Sequence, residues 1–418
     1  MSVQNSLTSV QNSATRAQAT PASPLLLAHY TAVSCIGRGR GEILASLREQ
    51  RSGLAPCTFE TVTLETCAGE VPAVDEERLP QALRDFDCRN NRLAQLGLRQ
   101  DGLAEAVARS AARWGPRRVG VFLGTSTSGI LQTELAYRRL GATDGALPDD
   151  FHYATTHNSF SVADFVRHAL QLEGPAVVVS SACSSSAKVF GSASRMIEAG
   201  LIDAALVGGV DSLCLTTLYG FHSLQLTSRL PCRPFDAERD GISISEAAAF
   251  ALLERVPESV DSNSVLLLGV GESSDAYHMS SPHPQGLGAR AAMAAALQAA
   301  SLEPGAIDYI NLHGTGTVSN DAAESQAVQA LFGTSTPGSS TKGATGHALG
   351  AAGALEAVIC ALSLQNDFMP GGANTRHPDP ALQIEYLLRN REGPVRNVLS
   401  NSFGFGGTNC TLVLARAG

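Results

Sequence analysis

AVVVSSACSSSAKVFGSASRMIEAG, residues 176–200, reads as a buried strand, a turn of small residues and a helix. The valine run suits a strand covered on both faces. Val189, Met196 and Ile197 share one face of a helix over 184–199, and Gly200 stops it. The pattern recurs on both sides. VGVFLGT (119–125), AALVGGV (204–210) and AAFALLE (248–254) read as further buried strands, and 101–114 as a helix. After PESVDSN (257–263) a second series begins. SVLLLGVGE (264–272), AIDYINLHG (306–314), NVLSNSF (397–403) and NCTLVLAR (409–416) read as strands. Helices are expected over 288–301, 325–333 and 353–365. Such alternation predicts α/β layers, with helices covering largely buried sheets. The chain divides into a flexible tail at 1–24, a first half at 25–260 and a similar second half at 261–418.

Bulk composition narrows the function. Apolar residues make up 44% and charged residues 17% of 418 residues, which fits a folded globular chain rather than a disordered one. Net charge is −9 with no long basic run, which argues against a nucleic-acid partner. Nine cysteines without a CxxC pair argue against a disulfide framework or zinc site and for a reducing cytoplasm. The first residues carry SVQNS twice, at 2–6 and 9–13, and no apolar signal region. No apolar run approaches the ~20 residues of a spanning helix, so no membrane association is expected.

Chemistry concentrates in a few small-residue segments. Cys183 follows a strand and opens a helix, where backbone N–H groups and the helix dipole favour a thiolate and should lower its pKa. That context alone also admits a hydrolase nucleophile. His313 ends a strand and is followed by GTGT; His347 lies in GATGHALGAAG near a helix start. One thiol and two imidazoles suit storage of an acyl group as a thioester and stabilisation of an enolate. A metal site is the rival, but no carboxylate or histidine stands at ligand spacing around either histidine.

SSACSSSAK, NLHGTGT, TKGATGHALGAAG and NSFGFGGTN (401–409) together resemble the elongating β-ketoacyl-acyl carrier protein synthases of the thiolase superfamily. The likeness spans about residues 25–418. It implies a thiolase-like five-layered αβαβα fold and a Cys-His-His triad of Cys183, His313 and His347. Initiating synthases carry Asn at the second histidine, and degradative thiolases a second reactive cysteine in a CxG setting. Neither pattern matches here. By the resemblance, Cys183 takes an acyl group from acyl carrier protein, with the backbone N–H groups of Cys183 and Phe403 as oxyanion hole. His313 and His347 then stabilise the enolate formed from the malonyl thioester, while Lys342 and Glu356 order the site. Substrates ride on phosphopantetheine and no further cofactor or metal is implied.

The resemblance also marks gates and docking residues. Phe403, Gly404, Phe405 and Gly406 form one gating loop. DAYHMSSP (275–282) matches a second, with Asp275 and His278; a loop tied down by its own Asp and His explains those two equally well. Thr127 in GTSTSG stands where an apolar residue usually lines the acyl pocket, which suggests a differently shaped tunnel. GTSTSGILQTELAYRRLG and RDGISI (239–244) are similar to ketosynthases of aryl-polyene clusters. Ser245 and Ala247 replace family glycines, which bears on local packing. Arg84, Arg89, Arg92 and Arg229 are either a docking patch for acidic carrier protein or scattered solvated arginines. The family implies a homodimer, or a heterodimer with a related subunit. A non-catalytic chain-length-factor-like subunit and, more remotely, a degradative thiolase are the alternatives.

Overall fold

The computed structural model describes residues 23–140 and 145–418. The SVQNS repeats and nearly all of the expected tail lie outside the described residues. Eleven strands run through one continuous sheet path: β1 (Leu25–Ser34), β2 (Val119–Gly124), β3 (Ala176–Val179), β4 (Ala204–Asp211), β5 (Ala247–Arg255), β6 (Val265–Ser274), β7 (Tyr309–Asn311), β8 (Pro337–Ser339), β9 (Glu385–Tyr386), β10 (Asn397–Gly404) and β11 (Thr408–Arg416).

The topology occurs twice. In the first series β1 pairs antiparallel with β5, β5 antiparallel with β4, and β4–β2–β3 continue in parallel. In the second, β6 pairs antiparallel with β11, β11 antiparallel with β10, and β10–β7–β8 continue in parallel, with β9 added beyond. The series join through β1 and β6, antiparallel, with Leu25 opposite Leu267.

Period-two alternation sends each strand's side chains into two different cores. Val119, Val121 and Leu123 pack outward with Leu93, Leu103, Val107 and Phe165, on helices α1 (Arg89–Leu98), α2 (Leu103–Trp114) and α3 (Ser161–Ala169). Phe122, between them, packs inward with Phe190 and Ile197 of α4 (Ser185–Glu198). Val398 and Leu412 of the second series enter the same central core. With them lie Leu355 and Ile359 of a later helix, Ala352–Asn366. Leu399 and Val413 face the other way, toward Met293 and Val328 on α5 (Leu287–Ala300) and α6 (Val318–Phe332). Numbering Ala352–Asn366 as α7, the layers are helices, sheet, α4 with α7, sheet, helices. That is the thiolase-like αβαβα arrangement.

The window Leu349–Asn366 is long and apolar enough to cross a membrane by composition, contrary to the reading of the sequence. It is 89% buried, because a helix between two sheets must be apolar all round.

Two expected strands end early where the site begins. The first stops at Val179, since Ala182 turns the chain at φ +52° and the Ser185 hydroxyl accepts the Ser181 N–H at 2.8 Å. The second stops at Asn311, because the N–H groups of His313 and Gly314 turn to the Glu324 carboxylate, each at 2.8 Å. Helix α6 starts seven residues before the expected 325. Thr317 caps it by accepting the Asn320 N–H, and its polar first turn hides the apolar period.

Candidate active site

Cys183 sits on the strained turn before α4 and is 5% exposed. Burial pushes its thiol up to about 11, against the opposing pull of Lys342 and of the backbone N–H of Phe405. This corrects the expected lowering: desolvation of the thiolate outweighs the favourable dipoles. The resting sulfur is a thiol, with His347 Nε2 at 3.1 Å.

His347 is carried by the segment after the short helical turn Lys342–Thr345. Gly346, at φ +70°, makes that segment fit: a Cβ there would lie 2.7 Å from the Cβ of Ser245. Ser245 thus packs against a glycine on the opposite segment, so the exchange noted in RDGISISEAA is accommodated locally. Its own hydroxyl is buried without a partner among the described residues.

His313 meets His347 edge to face, with ring centroids 5.3 Å apart. Behind it, the Lys342 ammonium donates to the His313 carbonyl at 2.6 Å, approaches His313 Nδ1 at 3.3 Å and donates to Glu356. An ammonium has no lone pair to offer, so Nδ1 accepts and the proton stays on Nε2. Burial and the Lys342 charge hold both imidazoles well below their ordinary pKa, and therefore neutral. Burial lifts the Glu356 carboxyl to about 7, partly offset by Lys342.

By type and distance, Cys183, His313 and His347 could hold a metal ion, their ligand atoms lying within 4.8 Å of one another. The Lys342 contact opposes this. It keeps the proton on the His313 nitrogen that a metal would need.

The two loops expected to act as gates lie against each other. The Gly406 N–H donates to the Met279 carbonyl at 2.7 Å, and the Asp275 N–H to the Gly407 carbonyl at 2.8 Å. Asp275 accepts from Asn409 at 2.8 Å and from the His283 N–H at 3.0 Å. His278 is exposed and accepts only locally, from the Ser280 N–H. Phe405 stacks obliquely on Phe221. Phe403 lies within β10 opposite Asn409, with its ring 5.8 Å from His313. The N–H aimed at the sulfur is that of Phe405, two residues beyond the one assigned, because β10 must end before the chain can turn over Cys183.

Other expectations move. Thr127 is buried and donates its hydroxyl to Asp211, and it is absent from the cavity wall. Arg89 is 3% exposed, bonded to Glu246, Asp75 and Glu70 and lying over the Phe59 ring. It is a buried ion-pair hub and cannot reach a docked protein. Arg92 is bound to Asp87 and Arg84 pairs with Asp85; Arg229 is exposed and makes no ion pair among the described residues. The sequence reading missed Glu324, lifted by burial to about 7, which accepts from His313, Gly314 and Asn401. Its only signal is an acid eleven residues after His313.

A cavity opens onto Cys183, His313 and His347. Thr315, Thr317 and Asn320 give its wall polar groups, and Phe221, Leu226 and Ile242 apolar ones. The arrangement presents a thiol, a neighbouring neutral imidazole and a second imidazole donor to one narrow space.

The family described as "Beta-ketoacyl synthase, N-terminal domain" matches residues 33–259, and "Beta-ketoacyl synthase, C-terminal domain" matches 265–376. Nodulation protein E of Rhizobium meliloti (strain 1021) is 34% identical over 391 residues, 90% of this chain and 95% of that protein. The 3-oxoacyl-[acyl-carrier-protein] synthase 2 of Coxiella burnetii (strain RSA 493 / Nine Mile phase I) is 34% identical over 72% of this chain and 75% of its own. A chain in the solved structure "Ketosynthase (ApeO) in Complex with its Chain Length Factor (ApeC) from Xenorhabdus doucetiae" superposes with TM-score 0.87 at 38% identity, covering 95% of this chain and 98% of that one. With its duplicated layers and its buried thiol between two imidazoles, the chain belongs to the β-ketoacyl synthase family.

Proposed function

We propose that Cys183, His313 and His347 carry out decarboxylative condensation on carrier-bound thioesters, and that the substrates belong to aryl-polyene-type chain elongation. The observation that carries the chemistry is His347 Nε2 at 3.1 Å from the Cys183 sulfur, beside a His313 whose Nδ1 is occupied by Lys342. The Cys183 sulfur attacks the acyl thioester, and its proton passes to the departing pantetheine thiolate. The N–H groups of Cys183 and Phe405 receive the oxyanion. Malonyl thioester then loses carbon dioxide. His313 and His347 donate N–H bonds to the enolate oxygen, and the carbanion attacks the Cys183 thioester. The thiolate leaves and takes a proton from solvent water, its own having departed with pantetheine. Neutral imidazoles serve this step, and no further cofactor is needed. The aryl-polyene reading rests on the likeness to the ApeO–ApeC complex together with GTSTSG and RDGISI. A cytoplasmic location fits nine free cysteines.

Docking of the carrier protein falls to the rim of the cavity rather than to an arginine patch. Three segments that line the cavity expose apolar residues: Leu224 and Leu230 flank Leu226, Tyr277 and Met279 precede Ser280, and Val318 lies between Thr317 and Ser319. Arg229 adds a charge at the edge of this rim. A second surface is the edge of β3, unpaired among the described residues, whose Ala176–Val179 are all half-buried. An apolar unpaired edge invites another strand, and a chain-length-factor-like subunit is the partner proposed for it.

Incubating the protein with carrier protein that bears an acyl thioester and weighing the protein intact tests the first step. An acyl adduct on wild type and none on Cys183→Ala supports the reading. An adduct that survives the substitution overturns it.

A further inference from the structure

We propose that Asp211 is a positioning residue that holds His347 over Cys183. It closes β4, is fully buried, and pairs with no cation among the described residues. Its charge is instead met by dipoles from both halves of the chain. Oδ1 accepts from the Thr125 hydroxyl at 2.7 Å, the Ser126 N–H at 2.8 Å, and the Thr127 N–H and hydroxyl at 2.8 and 2.7 Å. Oδ2 accepts from the Ser126 hydroxyl and from the Gly350 N–H at 2.6 Å.

Gly350 lies three residues after His347, and between them Leu349 has φ +48°. Ser128, beside the other bonded loop, has φ +46°. Left-handed backbone at non-glycine residues persists only where surrounding bonds hold it. Asp211 supplies those bonds on both sides. Gly350 is required for the approach, since a Cβ there would fall 2.8 Å from Oδ2. The hydroxyl of Thr127 therefore serves this carboxylate rather than a substrate.

The carboxylate also acts on Cys183 through space, raising its thiol pKa. Position and charge thus push in opposite directions. The position favours catalysis, and the charge opposes thiolate formation.

This proposal rests on the condensing role given to His347. Its test pairs condensation kinetics with iodoacetamide alkylation of Cys183, which requires no substrate. For Asp211→Asn, kcat should fall on the order of tenfold to a hundredfold as His347 loosens, with KM little changed. Alkylation near pH 8 should meanwhile become faster. A residue that merely supports the fold would slow both, and that result, or an unchanged kcat, overturns the proposal. Should Asp211→Asn fail to fold, Thr127→Val keeps the shape, the carboxylate and all three backbone donors. It should lower kcat severalfold while alkylation stays near the wild-type rate, and a wild-type kcat, or alkylation slowed along with kcat, would overturn the idea. If wild type alkylates but never condenses with any carrier substrate, the functional reading fails. The alkylation comparison still judges the charge of Asp211.

Discussion

Replacing Lys342 with Met should reduce stability by an amount that grows with pH. Lys342 Nζ donates to Glu356 and to the His313 carbonyl and contacts His313 Nδ1, with both charged side chains almost fully buried. Methionine matches the length but donates nothing, and Glu356 Oε2 has no partner among the described residues to fall back on. Removing one member of a buried pair costs about 3–5 kcal/mol. Protonation of Glu356 limits the cost, since its carboxyl is already lifted to about 7. Native wild type releases that proton as pH rises through about 7, whereas the native variant keeps it. In the unfolded chain of either protein the carboxyl ionises near its ordinary value and is already charged. The stability lost therefore increases above pH 7, by about 1.4 kcal/mol per pH unit until the variant's own carboxyl ionises. Urea denaturation of both proteins at about pH 6, 7 and 8.5 reads this directly. A stability difference that is equal at all three would refute the reasoning.

Other outcomes follow from the same geometry. Alkylation of Cys183 should accelerate about tenfold per pH unit from neutrality upward, since only the thiolate reacts; a plateau below pH 9 would contradict a thiol raised to about 11. Both active-site histidines titrate well below 6.5 when folded. Their contribution to stability is present above 6.5 and is lost as pH falls below it. His347→Asn should flatten the acid limb of a stability–pH curve, and an unchanged limb would count against the assignment. Arg89→Ala should lose about 3–5 kcal/mol in denaturation yet leave the KM for carrier protein unchanged in the folded fraction. Met279→Ser with Val318→Ser should raise that KM with little dependence on salt; a steep salt dependence would favour charged docking instead.

The layered fold was legible because its strands are buried on both faces. Such strands read as unbroken apolar runs, and the runs at 119–125, 204–210 and 248–254 coincide closely with β2, β4 and β5. The duplication was visible as a pattern starting again after residue 263. What stayed hidden depends on where chain segments meet. Arg89 looks like any solvated arginine until Glu246, far along the chain, is folded against it. Thr127 reads as pocket lining until Asp211 claims its hydroxyl. The donor facing Cys183 falls on Phe405 rather than Phe403 because the end of β10 is set by pairing with β11, which no local motif encodes. The lowered pKa expected of Cys183 used the helix dipole and omitted burial, and burial is the larger effect. That Cys183, His313 and His347 would lie together was legible because each stands in a small-residue turn after a strand or at a helix start.

The most direct test of the account is intact-mass analysis of acyl carrier protein. This chain would be incubated with its proposed chain-length-factor-like partner, an acyl carrier and malonyl carrier, beside a Cys183→Ala control. The account predicts a β-ketoacyl carrier, longer by two carbons, that forms with wild type and is absent with Cys183→Ala. Carrier that remains unextended in the presence of the partner, or extension that persists without the Cys183 thiol, would contradict it.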